Sequence, residues 1–376
     1  MMRTLAAVGA VSMLVCGAFA QGVQRPQTPE APFPYGEREV AIGVTDDSGD
    51  EITLAGTLTL PEGEGPFAAV VLLTGSGAQD RDEEIFGHRP FKLIADRLTR
   101  AGIAVLRCDD RGVGGSSGTF VDATTSDFGR DANAKVRWLR EQAGIDPERV
   151  GLLGHSEGSV SAFLAARDDQ DIAFVVSIAG PGAPGRELLV LQMRLLLEAQ
   201  GVPPERVERI SGLQQEMLDL IVKNASVGEL KDAFRALATA QMALQGLKPN
   251  DDMLDQIVAG QIRTFAGEWG RELITLDPSE SAARVSCPVL LVGGTLDLQV
   301  PPGPNITPLV GALLEGGCED LTVRVYPRLN HLMQPARTGT IGEYQLSTVT
   351  MDERVLGDLV RWFEARFVEA RVVDAD

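Results

Sequence analysis

Six consecutive apolar residues, Ala68-Ala69-Val70-Val71-Leu72-Leu73, constrain this 376-residue chain more than any other segment. A strand with one face in water alternates apolar and polar residues, whereas a strand apolar on both faces needs cover on both. The run therefore predicts a central strand of a sheet sandwiched between layers of helices. Its neighbours agree. Glu37 to Val44 and Ile52 to Leu60 predict two antiparallel strands around the polar turn at Asp46-Asp47-Ser48-Gly49. Beyond the run come a helix over Pro90 to Ala101 and a strand over Ile103 to Cys108. A helix at about Asp127 to Glu141, a strand over Arg149 to Leu153, a helix from Ser156 and a strand over Ile172 to Ile178 follow. Such alternation means a mostly parallel sheet covered by helices on both faces.

The alternation stops at Gly180-Pro181-Gly182-Ala183-Pro184-Gly185. Helical periodicity then places Leu188, Leu191 and Leu195 on one face, and Val207, Ile210, Leu213, Met217 and Leu220 on the next. Ser226 with Glu229 forms a capping box for a third helix carrying Leu230, Phe234 and Leu237. Leu254, Ile257, Gln261 and Phe265 trace a fourth. Strands resume at Pro288-Val289-Leu290-Leu291-Val292 and Leu321 to Tyr326, before a closing helix near Glu353 to Arg366. The chain thus divides into a core over 35–184 and 276–376, with a helical insertion over 185–275. That insertion reads as a lid over the end of the sheet, or else as a packing or dimerisation appendage.

The amino terminus reads as a leader. Arg3 precedes an uncharged stretch from Leu5 to Ala18, and Ala18-Phe19-Ala20 ends in the small-x-small pattern of a cleavage site. Residues 1–20 are expected to be a signal peptide, and the Pro- and Gln-rich 21–34 a flexible linker. The expectation is a secreted or periplasmic protein. No later segment reaches the roughly 18 to 20 apolar residues needed to cross a bilayer. A net charge of −19 argues against nucleic acid or an anionic membrane surface as partner. Past the leader remain Cys108, Cys287 and Cys318, with no short paired spacing, and the whole chain has three histidines. Zinc, or any other metal or cofactor, is not expected. Cys287 and Cys318 each precede one of two neighbouring strands. A bridge between them would add roughly 3 to 4 kcal/mol by loop closure; two unpaired thiols are the other reading.

Gly154-His155-Ser156-Glu157-Gly158 matches G-x-S-x-G and lies between a predicted strand and a predicted helix. In that context the serine sits on a strained turn that presents its hydroxyl at the carboxyl end of the sheet, and side chains at the glycine positions would collide with the neighbouring backbone. A serine needs an adjacent base. His331 is the only histidine after the elbow, and it follows the last strand in Pro327-Arg328-Leu329-Asn330-His331. The carboxylate that orients the imidazole is expected to be Asp297, just beyond the strand ending at Val292, because Pro181 to Gly185 offers none. Two backbone donors should meet the oxyanion: the amide of Glu157, and that of Ser76 within Thr74-Gly75-Ser76-Gly77. His155 is expected to pack the elbow. His88 either lines the site or packs the helix after it. Asp80, Arg81, Asp110 and Arg111 read as a structural ion-pair network near the site.

These motifs together resemble those of bacterial α/β-hydrolase esterases, a family similar to acyl-coenzyme A thioester hydrolases and serine peptidases. The resemblance rests on Leu73 to Gly77 with Asp80-Arg81-Asp82, Gly87 to Phe91, and Asp109-Asp110-Arg111-Gly112-Val113-Gly114. It continues through the elbow, Asp297 to Pro301, and Leu329 to Leu332. It covers about Tyr35 to Arg366. Thr74 departs from the His that many esterases carry there, and Ser159 from a second glycine after the elbow. The resemblance implies an α/β-hydrolase fold and hydrolysis of a small-molecule carboxylic ester, of short or medium acyl chain, through an acyl-enzyme. A peptidase using Glu157 to hold a substrate amino group, and a thioesterase, are the alternatives.

Overall fold

The computed structural model describes residues 24–46 and 49–368; the expected signal peptide lies outside them. Eight strands form one sheet: β1 (Gly36–Thr45), β2 (Glu51–Leu60), β3 (Phe67–Leu73), β4 (Ala104–Cys108), β5 (Ile145–His155), β6 (Val175–Ile178), β7 (Val289–Gly294) and β8 (Leu321–Tyr326). Their spatial order is β1-β2-β4-β3-β5-β6-β7-β8. β2 pairs antiparallel with both β1 and β4, and from β4 to β8 every pairing is parallel.

The double cover predicted from the apolar run is visible residue by residue. Ala69, Val71 and Leu73 face one core, with α2 (Thr125–Arg140), α3 (Glu157–Asp168) and α10 (Pro302–Glu315). Ala68, Val70 and Leu72 face the other, with α1 (Pro90–Arg100) and α11 (Glu353–Phe367). Because successive strand residues point to opposite faces, one six-residue segment supplies side chains to both layers. α10, between β7 and β8, is not legible in the sequence: it opens Pro302-Gly303-Pro304 and carries Pro308 inside. It forms because Leu309 and Leu313 are buried against the sheet, and that packing overrides poor helix propensity.

Between β6 and β7 the chain runs through α4 (Gly185–Ala199), α5 (Pro204–Val222), α6 (Val227–Leu244), α7 (Asp251–Phe265) and α8 (Glu268–Thr275), then the short α9 (Pro278–Ala282). α4 to α8 share a hydrophobic core of their own, which includes Val207, Ile210, Met217, Leu230, Phe234, Leu237, Leu254 and Phe265. The Ser226–Glu229 capping box is present. On α4 the buried stripe is Leu188, Leu189, Leu196 and Leu197 with Gln192, while Leu191 and Leu195 are only half-buried. The helix has apolar residues on most of its surface, so periodicity alone does not select the inward side.

The described part of 21–34 is not a free tether. Arg25 donates to the carbonyls of Ser347 (2.7 Å), Phe86 (2.8 Å) and Gln345 (3.0 Å), and Gln27 bridges Met351 and Thr350. These loop carbonyls have no sheet or helix partner, and the side chains satisfy them in place of water.

Candidate active site

The carboxyl ends of β3, β5, β7 and β8 converge on one cleft lined by Gly75, Ser76, Ser156, Glu157, Val300 and His331. Ser156 follows β5 directly. Its φ of 52° and ψ of −123° lie outside the ordinary regions for a non-glycine residue. The surroundings hold that strain in place: Ser156 donates its amide to Ile178 O at 2.9 Å. A Cβ on Gly154 would sit 2.2 Å from the carbonyl oxygen of Gly158, and one on Gly158 would sit 2.2 Å from that of Leu73. Both flanking positions therefore require glycine because backbone lies against backbone. Gly180 is similarly closed, by Ser177 and Ser159. The Ser159 hydroxyl turns back to Gly154 O at 2.8 Å, so the serine in place of a second glycine ties the elbow together.

Asp297 is buried, and its carboxylate is fully used. One oxygen accepts the amides of Gln299 (2.9 Å) and Val300 (2.8 Å), and the other meets Nδ1 of His331 at 2.9 Å. A bond from the carboxylate to Nδ1 leaves Nε2 as the nitrogen that faces a reacting group. The loop that carries His331 is folded around buried Asn330, whose Oδ1 accepts the amides of Leu332 (3.1 Å) and Gln334 (2.9 Å). The structure thus places Ser156, Asp297 and His331 at one site, from three separate strand ends.

On the opposite wall, Gly75 donates its amide to the carboxylate of Glu83 at 2.7 Å. Among the described residues the amides of Ser76 and Glu157 have no protein acceptor. The Gly75 amide, by contrast, is taken by Glu83. A Cβ on Gly75 would approach the Ser156 Cβ at 3.2 Å, which fixes how near this turn lies to the hydroxyl. Asp110 anchors the turn from below, accepting from Thr74 Oγ1 (2.7 Å) and Gln79 N (2.9 Å).

The expected ion-pair network is present with different partners. Arg81 pairs with Asp109 and Glu39, and Arg111 with Asp131 and Asp127. Asp80 instead caps its own turn through the amides of Asp82 and Glu84. Asp110 is held by hydrogen bonds in place of an arginine: burial pushes its carboxyl up to about 7, against the pull of Lys135 and those two bonds. His88 is fully buried between Thr350 Oγ1 (2.9 Å) and Tyr344 O (3.0 Å). Loss of solvent lowers its value to about 4, so it is a neutral packing residue.

The open side of the cleft is apolar. Leu188, Leu189 and Leu273 come from the helical insertion, and Ile85, Val160, Leu276, Ile341 and Tyr344 from the core. Helix α8 bridges insertion and core: Trp269 Nε1 donates to Glu157 at 2.8 Å, and Ser126 bonds Glu272 one turn further on. The same Glu157 oxygen accepts Thr125 Oγ1 at 2.6 Å.

Residues 88–334 match the sequence family described as serine aminopeptidase, S33. The chain belongs to this family. An esterase of Thermotoga maritima, EstD, is 30% identical over 317 residues, which is 82% of this chain and 65% of that protein. The chain therefore spans just under two thirds of this relative's length. Among solved structures, the Pyrococcus furiosus esterase PF2001 superposes with a TM-score of 0.51 at 15% identity, covering 93% of this chain and 99% of the other. An α/β-hydrolase from Penicillium, GrgF, superposes with 0.52 at 16%, covering 89% and 100%. Likeness at that identity bears on the fold, and the α/β-hydrolase fold is what the strand order and the elbow present.

Two members of this S33 site were invisible in the sequence. Glu83 lies in an acidic loop whose neighbours looked equally eligible, and Trp269 lies far along the insertion with no motif around it. The three described cysteines are free thiols. Cys318 Sγ donates to the carbonyl of Cys287 at 3.2 Å, so the two residues are neighbours, as their strand positions imply, without being bridged. Burial raises the Cys287 and Cys108 thiols to about 12 and about 11. Among the described residues there is no group of three or more His, Cys, Asp or Glu that could hold a metal ion, and no helix long and apolar enough to cross a membrane.

Proposed function

We propose that this chain is an exported serine hydrolase cleaving small-molecule carboxylic esters, with Ser156 as nucleophile, His331 as base and Asp297 as its support. The observation that carries the reading is the 2.9 Å bond from His331 Nδ1 to buried Asp297, in the same cleft as the strained Ser156. His331 Nε2 takes the hydroxyl proton as Ser156 Oγ bonds to the acyl carbon, and the amides of Ser76 and Glu157 receive the oxyanion. Collapse of that adduct breaks the ester C–O bond, with the proton passing from His331 to the departing alcohol. Water, deprotonated by His331, then attacks the acyl-enzyme and restores the serine. The apolar wall formed by α4 and α8 suits a short or medium acyl chain, with the insertion as lid.

Aminopeptidase chemistry is the second reading, favoured by the family's description. It would employ Glu157 to hold the substrate's amino terminus. One oxygen of that carboxylate is already engaged by Trp269 and Thr125, which ties it to lid attachment and supports ester over amide hydrolysis. The test is kcat/KM for acyl esters of increasing length and for aminoacyl amides, in the wild type and in Ser156→Ala. Loss of turnover by several orders of magnitude in a folded Ser156→Ala supports the nucleophile. Higher kcat/KM on amides, lost in Glu157→Gln, overturns the esterase assignment.

A further inference from the structure

A second histidine lies against the first. The His155 and His331 rings are 4.9 Å apart between centroids, and His155 is buried. Its two nitrogens have unusual partners. Nε2 is 3.1 Å from the backbone carbonyl of His331, which can only accept, so Nε2 carries a proton. Nδ1 is 2.9 Å from Glu83 Oε1. That oxygen simultaneously accepts the Gly75 amide at 2.7 Å, as a charged carboxylate oxygen does. A ring held between two acceptors has both nitrogens protonated.

We propose that His155 is a resident imidazolium, ion-paired to Glu83, whose positive charge works against a second one on the adjacent His331 and which so acts as a positioning residue for the base. The proposal rests on His331 serving as that base. The charged and titratable groups around the His155 ring come from several elements: Glu83 after β3, Asp297 after β7 and His331 after β8. Asp110 lies beyond Glu83, and the Tyr344 phenol beyond Asp297. Burial alone would strip the proton from His155; attraction to and the hydrogen bond with Glu83, then the His331 carbonyl and last Asp297, outweigh it and raise its value. The His155 ring lies against the His331 ring, while Glu83 bonds its Nδ1 and the Gly75 amide. A positive ring in contact with His331 opposes a second positive charge there. The same pair joins the oxyanion turn to the His331 loop, since Glu83 binds Gly75 and His155 binds the His331 carbonyl.

Two measurements test the assignment. The first is nitrogen NMR of the mature chain labelled at histidine, with the three histidines resolved by His155→Gln. The expected result is a His155 ring protonated on both nitrogens from pH 5 to 9; a bare Nδ1 over that range overturns the proposal. This readout needs no turnover, so it stands whether or not Ser156→Ala abolishes activity. The second is the pH dependence of kcat/KM on an activated ester. In Glu83→Gln and His155→Gln the acidic limb is expected to move to higher pH, so that kcat/KM falls further near pH 6 than at pH 9. Equal loss at every pH would show that the pair is only a structural tie, and would overturn the electrostatic role.

Discussion

Replacing Asp110 with asparagine isolates the cost of a buried carboxyl under the oxyanion turn. In the folded chain this group titrates at about 7 because it is shut away from water; unfolded, it titrates near its ordinary value of about 3.9. Its folded value is raised, so its contribution is fully present below about pH 4 and is lost as pH rises through 7. Between those limits the unfolded chain gives up the proton and the folded one keeps it. Stability then falls by about 1.4 kcal/mol per pH unit, to a total of about 4 kcal/mol above pH 8. The asparagine side chain cannot ionise, but it offers one acceptor oxygen to two donors, Thr74 Oγ1 and Gln79 N. Leaving one of them short costs about 1.5 kcal/mol, independent of pH. The wild type is therefore expected to be the more stable form at pH 4, the two to cross near pH 5, and Asp110→Asn to lead by about 2.5 kcal/mol at pH 8 to 9. Urea unfolding of both proteins at four pH values reads this directly, since titration of groups remote from Asp110 cancels in the difference. A difference in unfolding free energy that stays flat with pH would refute the reasoning.

Trp269→Phe removes only the indole donor to Glu157 and keeps the ring's bulk. A hydrogen bond to a charged group is worth about 1.5 to 3 kcal/mol, and the expected outcome is faster proteolysis of the 185–275 insertion and a raised KM with kcat less affected. Gly158→Ala drives a Cβ into the carbonyl of Leu73; it should destabilise by roughly 2 to 3 kcal/mol and lower kcat, measured by thermal unfolding and initial rates. A chain starting at Gln21 should show three titratable thiols in denaturant, with all three slow to react when folded because burial raises Cys108, Cys287 and Cys318. A count of one would reveal a bridge.

The architecture was legible wherever the information is local or periodic. Ala68 to Leu73 must be covered on both faces whatever surrounds it, and Ser226 with Glu229 caps its helix through bonds spanning three residues. The elbow declares itself because its glycines answer a backbone clash built into a strand–turn–helix. His331 and Asp297 could be named by elimination, since so few histidines and so few carboxylates stand at strand ends. The third dimension settled which groups those residues meet. Glu83 reaches His155 across 72 positions and His155 reaches the His331 carbonyl across 176, and Glu157 is claimed by Trp269 from 112 residues away. Arg81 and Arg111 likewise chose Asp109 and Asp131 where Asp80 and Asp110 were equally plausible partners. Cys287 and Cys318 sit on adjoining strand ends, yet the cysteine thiol of one points to the carbonyl of the other. A sequence determines such a residue's chemistry and its strand; the sheet, by gathering loops from distant strand ends into one crowded space, selects among chemically equivalent partners by distance and direction.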